Sequence, residues 1–298
     1  MNGASFDARF GEDTGDAVGA VLGARKYQHR ALEAFAQQGE KARFVSMTDS
    51  TALGRDVRDH LSGLGVDLTH TLFSESGMGI WMAILDSNGD LAGSISHQPV
   101  FTALEEYVDQ NIESILESVD AAVLEIDMSA HIAESVLRAA RKLKKPVFAI
   151  VGNMEVILAH PEYLRDVSCF FCNEIEAGRL FRTDFTTDRP DQVLAQMPEN
   201  MYRRGIRKMV ITMGAHGAVY FDATTGESGH CPAIPTSMVD STGAGDAFFS
   251  GSVMALNRGF SLGSAVRVGT RLASATIGCE NSVCGRVEGL FDDAEARA

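Results

Sequence analysis

A chain of 298 residues is long enough for one large α/β domain or two smaller ones, and 45% hydrophobic with 22% charged residues is the balance of an enzyme-sized globular protein. The formal net charge of −14 disfavours a nucleic-acid backbone or an anionic membrane surface as partner. No run of about 18 apolar residues is present to span a membrane, and the opening M-N-G-A-S-F-D-A-R-F-G-E-D lacks the apolar core of a secretory signal.

In chain order, the pattern predicts a helix over about 29–38, a short strand over 43–47 (R-F-V-S-M), a helix over 52–62 and a strand entered through Gly63, Leu64, Gly65 and Val66. Residues 79–95 read as a hairpin: G-I-W-M-A-I-L-D, an S-N-G-D turn, then L-A-G-S-I. An Asn-Gly pair between apolar strands is a strong hairpin signal. A hairpin inside an α/β pattern predicts a small sheet projecting as a lid, placed at about 71–100. From Asn111 onward the alternation is regular. A helix precedes the strand 121–126; Ile132, Val136, Leu137, Ala140 and Leu143 then share one face of a helix over 130–143, closed by Lys144, Lys145 and Pro146. V-F-A-I-V and V-S-C-F-F are the next strands, followed by helices over 174–181 and about 193–204, the strand M-V-I-T and a hairpin from Ala218. Strands separated by helices of this length predict βαβ units. The expected architecture is a single three-layer α/β domain over 1–298, a mainly parallel sheet with helices on both faces and a small β lid.

The five cysteines, odd in number and dispersed, point to a reducing and therefore cytoplasmic location. Cys169 and Cys172 form C-x-x-C, but a structural zinc site needs four ligands and no second C-x-x-C exists, so they read as buried strand residues. No histidine pair has metal-ligand spacing.

Three motifs carry chemistry. The string D-S-T-G-A-G-D-A-F-F-S-G runs from Asp240 to Gly251, after an apolar approach ending at Val239 that reads as a strand. Gly243, Ala244 and Gly245 are small enough for backbone N–H groups to converge on an anion. Ala247, Phe248, Phe249, Val253, Met254 and Leu256 have helical spacing, which puts the turn at a helix N-terminus, where free N–H donors suit phosphate. Asp246 falls in the first turn and reads as a general base, the arrangement phosphoryl transfer needs. A simple capped helix is the plainer reading.

N-E-I-E follows V-S-C-F-F. Asn173 and Glu176 share a helix face, so they can address one metal or its water shell, or else form a capping box; the residues alone leave both open. T-M-G-A-H-G-A runs from Thr212 to Ala218, with Gly214 and Gly217 allowing a tight turn beside a ligand or simply a strand-to-hairpin turn. His216 reads as a solvent-facing turn residue. Neither a P-loop nor a dinucleotide fingerprint competes.

The twelve-residue string resembles the C-terminal signature of the ribokinase-like (PfkB) carbohydrate and nucleoside kinases. The resemblance implies their fold, ATP with Mg²⁺, an anion hole at Gly243, Ala244 and Gly245, and Asp246 deprotonating the hydroxyl that receives the γ-phosphate. It also implies that Asn173 and Glu176 lie near Mg²⁺, through water, and the triphosphate. Thr212, Gly214 and Gly217 would line the nucleotide site, with the helix over 262–277 and the loop G-C-E-N-S-V-C covering adenine. Asp240 and Thr242 match positions near a monovalent cation, K⁺.

Within the family, S-x-x-G-x-x-I-W-M-A-I-L-D-S-N-G-D-L, I-S-H-Q-P-V-F-T-A-L and S-A-T-I-G-C-E-N-S-V are most similar to pseudouridine kinases. G-A-S-F-D resembles the family's G-A-N-x-D, with Ser5 replacing asparagine, so Asp7 is either an acceptor-hydroxyl ligand, as the resemblance implies, or an exposed N-terminal aspartate; Met1 falls where the family's first strand ends, so an atypical or truncated N-terminus is expected. The family's G-G-x-x-x-N is also missing: Arg25, Lys26 and Arg30 hold its place, counted back from Gly39. Glu125 and Asp127, after A-A-V-L, are compensating acceptor ligands or residues of a surface loop. The expected activity is transfer of phosphate from ATP to the hydroxymethyl group of a pseudouridine-like nucleoside or a related sugar. The alternatives are another acceptor (ribose, fructose, adenosine) or a non-catalytic nucleotide-binding homologue with a regulatory role. The expected partner is a small molecule, and the lid hairpin offers an edge for a homodimer.

Overall fold

The computed structural model describes residues 26–75, 79–85, 91–97, 99–152, 154–187, 189–239, 243–279 and 283–292. The chain opens with α1 (Lys26–Gln37), β1 (Ser46–Thr48), α2 (Ala52–Gly63) and β2 (Thr71–Phe73). The hairpin strands β3 (Ile80–Leu85) and β4 (Leu91–His97) follow, then α3 (Thr102–Glu117), β5 (Ala122–Glu125), α4 (Ala130–Leu143) and β6 (Val147–Ile150). Next come α5 (Glu155–Ala159), a 3-10 turn (Pro161–Arg165), β7 (Cys169–Asn173), α6 (Glu174–Phe181) and α7 (Pro190–Arg204). The chain continues through β8 (Lys208–Thr212), β9 (Ala218–Asp222) and β10 (Ser228–Cys231) to α8 (Ala244–Asn257) and α9 (Leu262–Ile277).

Local chemistry explains where these helices start and stop. Thr51, Ser129 and Ser261 cap α2, α4 and α9 by accepting from the N–H groups of Gly54, Ile132 and Ser264. Lys144 and Gly205 end α4 and α7 in the left-handed conformation. Helix α7 starts three residues earlier than its apolar spacing indicates, because Pro190 fits a first turn whose N–H needs no partner.

Side chains alternate along the strands between two apolar cores. Val147 and Ala149, Phe170 and Cys172, and Met209 and Ile211 face one core, together with Leu104 of α3, Ile132 of α4, Ile157 of α5, Leu180 of α6 and Met197 of α7. Phe148, Cys169, Phe171 and Val210 face the other, with Ala31 of α1, Phe248 and Phe249 of α8 and Val266 of α9. Period-two alternation into two apolar layers is what a sheet covered on both faces requires. It also separates the C-x-x-C thiols: Cys169 and Cys172 are both free and buried, on opposite faces, and burial pushes both thiols up.

The main sheet has the order β10-β9-β8-β7-β6-β5. Strands β5 to β8 are parallel, whereas β8–β9 and β9–β10 are antiparallel, so the sheet is mixed and mostly parallel in its βαβ half. Strands β1 and β2 form a separate parallel pair, and the 43–47 expectation contracts to Ser46–Thr48 plus an isolated bridge between Arg43 and Asp67. Strands β3 and β4 pair antiparallel, Ile80 opposite His97; the S-N-G-D turn lies outside the described residues. The approach to Asp240 is not a strand: residues 232–239 are exposed or half-buried and outside any ladder, held at Val239, whose N–H donates to the Ile277 carbonyl. Helix α5 was not legible in the pattern, being too short to show a period. No described helix is long and apolar enough to cross a membrane.

Candidate active site

The G-A-G-D turn opens α8. Gly243 is the N-cap at φ +84°, a left-handed conformation that a side chain resists. By helix geometry the N–H groups of Ala244, Gly245 and Asp246 have no acceptor inside the helix, while that of Ala247 is taken by the Gly243 carbonyl. Gly245 is exposed, and a Cβ there would meet nothing within 4 Å among the described residues, so the turn borders open space at this residue. Asp246, the next residue, is buried, at 3% exposure.

Packing fixes this helix end. A Cβ on Gly251 would lie 2.9 Å from Gly269 Cα, which identifies a close crossing of α8 over α9 that only small residues allow. The ring of Phe249 meets Phe171 of β7 edge-on, centroids 5.1 Å apart. The base candidate therefore sits one turn from a ring that packs on the strand carrying Asn173.

Asn173 ends β7 and is in register with Thr212 at the end of β8, so the two other motifs lie side by side at the carboxyl end of the parallel strands. That is where open α/β sheets bind ligands. Asn173 and Glu176 form a full capping box: Asn173 Oδ1 accepts from the Glu176 N–H and Glu176 Oε2 accepts from the Asn173 N–H, both at 2.8 Å. Burial pushes the Glu176 carboxyl up to about 7 despite that N–H bond. Thr212 donates to the Cys172 carbonyl at 3.4 Å. Gly214, at φ +51°, is exposed, and a Cβ there would meet nothing within 4 Å among the described residues, whereas a Cβ on Gly217 would collide with the Cys231 carbonyl oxygen. Gly217 is thus explained by hairpin packing. His216 is exposed, as expected.

The residue that motif reading left without a role is Arg30 on α1. Its Nη1 lies 3.4 Å from Asp246 Oδ2 across 216 residues of sequence, and both side chains are 3% exposed.

The model of the pfkB family carbohydrate kinases matches residues 32–284. The chain belongs to that family. It is 32% identical over 240 residues to the guanosine-inosine kinase of Exiguobacterium acetylicum, covering 80% of this chain and 78% of that one. It is 25% identical over 245 residues to the pseudouridine kinase of Escherichia coli, covering 81% and 76%. Among solved structures, Arabidopsis thaliana ribokinase complexed with ribose and ATP superimposes with a TM-score of 0.73 at 21% identity, covering 89% of this chain and 86% of that one; this likeness shows the ribokinase fold. The pfkB member described here is a sugar or nucleoside kinase.

Two acceptor-side expectations change on the structure of this kinase. Glu125 and Asp127 are at 1% and 3% exposure, so they do not form a surface loop. The Asp127 carboxylate accepts from the N–H groups of Gly152, Met154, Val156 and Ile157, at 2.7–3.3 Å. It braces the start of α5 through both carboxylate oxygens. Glu125 Oε1 accepts from the Asp127 N–H and steadies the same corner. Asp7, Ser5, Arg25, Asp240, Thr242 and residues 280–282 of the G-C-E-N-S-V-C loop lie outside the described residues.

Proposed function

We propose that this kinase transfers the γ-phosphate of ATP to the hydroxymethyl group of a nucleoside. The observation that carries the reading is the buried Asp246 in the first turn of α8, next to the exposed Gly245 and the N–H groups that have no acceptor inside the helix. Asp246 takes the acceptor proton. The turn of Gly243, Ala244 and Gly245 binds the transferring phosphoryl group through backbone N–H groups and the positive end of α8. Thr212 and Gly214 border the nucleotide, with Gly217 supporting their turn. Asp240 and Thr242 are proposed for K⁺ on the family resemblance alone.

Mg²⁺ belongs beside Asn173 and Glu176. A divalent ion of this kind keeps several waters and takes one or two carboxylates plus substrate phosphates, so the absence of a three-ligand cluster among the described residues is compatible with it. The donor chemistry fits: a half-buried carboxyl whose charge is disfavoured by burial gains most from a nearby cation. When bound, the ion neutralises phosphate charge.

For the acceptor, guanosine or inosine is favoured by the 32% identity over 80% of the chain to a guanosine-inosine kinase. Pseudouridine is the second reading, supported by the hairpin and tail motifs and by the 25% identical relative. ATP consumption with Mg²⁺ and K⁺ against guanosine, inosine, pseudouridine, uridine, adenosine, ribose and fructose tests both. Selective turnover of a purine nucleoside supports the first, and turnover of pseudouridine alone the second. Turnover of free sugars only removes the nucleoside assignment. Silence across the panel with ATP still bound favours the non-catalytic homologue.

A further inference from the structure

The contact between Arg30 and Asp246 is the least expected feature of the site. A buried ion pair is weak as a stabilising device, because desolvation of both charges offsets most of the attraction. The geometry is also not that of a structural clamp. A guanidinium built for stability grips a carboxylate with two parallel N–H bonds and engages both oxygens. Here the contact runs from Nη1 to Oδ2 at 3.4 Å, and Arg30 Nε is buried with no hydrogen-bond partner among the described residues. An orphaned buried donor in a folded protein calls for an explanation. Helix α1 shares an apolar core with α8 through Ala31 and Phe248, and Arg30 itself is buried, at 2% exposure.

We propose that Arg30 is the positioning residue of the base. Its guanidinium pins Oδ2 of Asp246 so that Oδ1 meets the acceptor hydroxyl, while Nε donates to a neighbouring oxygen of the acceptor sugar. The inference rests on the reading of Asp246 as the base. In the step it serves, the acceptor O–H bond breaks and its proton goes to Oδ1. The acceptor oxygen bonds to the γ-phosphorus, and the bond from that phosphorus to the bridging oxygen breaks with its electron pair leaving on ADP. An arginine suits this task because it stays charged at every working pH and its donors are fixed in a plane. A lysine at this place supplies the charge without the plane.

The test compares wild type, Arg30→Met, Arg30→Ala, Arg30→Lys and Asp246→Asn by steady-state kinetics with Mg²⁺ and ATP on the acceptor the wild type turns over, alongside melting curves. Arg30→Met is expected to lose roughly 30–100-fold in kcat and to raise the acceptor KM several-fold, with the ATP KM within about twofold. In Arg30→Ala, which vacates the volume of the side chain, tens of millimolar guanidinium restore part of the lost kcat, which a merely structural role does not allow. Arg30→Lys falls between wild type and Arg30→Met and decides the matter if the Met variant does not fold. Wild-type kcat and acceptor KM in the Lys variant, or activity above wild type in the Met variant, overturn the inference. If Asp246→Asn is inactive in that case, the base assignment stands and only the role of Arg30 is lost. If Asp246→Asn keeps wild-type turnover, the assignment of the base itself falls.

Discussion

Arg30 and Asp246 meet in the interior, 3.4 Å apart, with each side chain 3% exposed. Removing either partner leaves the other charge buried alone, which costs about 3–5 kcal/mol, whereas removing both costs less than the sum. A double-mutant cycle of Arg30→Met and Asp246→Asn by urea unfolding is expected to show this coupling. Strictly additive losses contradict the pair.

Asp246→Asn should lower kcat by roughly 10²–10⁴-fold, the usual range for loss of a general base. ATP affinity, measured by nucleotide titration, should change little, because the N–H donors of α8 belong to the backbone. Wild-type kcat in this variant ends the assignment.

Asp127 distinguishes a brace from a ligand. Replacing it with alanine strands four N–H groups at the start of α5, and the expected loss of stability is about 3 kcal/mol. The acceptor KM of the remaining folded enzyme should stay near wild type. A large rise in KM without a fall in melting temperature makes Asp127 a ligand after all.

Glu176 supplies a pH signature. Its carboxyl is pushed up to about 7 in the fold, first by burial, from an ordinary value of 4.5. Below the ordinary value both states keep the proton. As pH rises toward 7 the unfolded chain ionises first, so the fold loses stability, by at most about 3 kcal/mol once the pH has passed the folded value. Glu176→Gln keeps the capping-box geometry and removes the titration. Its stability should fall less steeply than wild type between pH 4.5 and 7, read by denaturant midpoints; an identical slope rules the effect out.

The crossing of α8 over α9 predicts a sensitivity remote from the chemistry. A Cβ on Gly269 runs into the Phe248 carbonyl and the Ser252 hydroxyl, so Gly269→Ala should cost about 1–3 kcal/mol. Because the same helix carries Asp246, kcat should drop with it. Unchanged stability means that the helices part more easily than their contact implies.

Much of this kinase was legible along the chain. Helices over 130–143, 174–181 and 262–277 coincide with α4, α6 and α9, because each has an apolar face at helical period and a polar residue to cap it. The C-terminal motif was readable because its chemistry is local: small residues, then a carboxylate, within one turn of a helix start. The same holds for Asn173 and Glu176, three residues apart, although only the folded backbone showed that they cap one another.

Pairings over long sequence distance were not legible. Local periodicity does not reveal that the sheet turns antiparallel after β8, since the same apolar alternation serves both directions. Nor does it reveal that Asp127, two residues past a strand, takes up four amides about 25–30 residues onward. Arg30 is the clearest case. Its charge and its place before Gly39 stand in the sequence, but its partner lies 216 residues away. Helical spacing and turn chemistry act between neighbours, so residue order alone settles them. Which buried charge faces which depends on how α1 and α8 are laid together on the sheet, and only the packed core decides that.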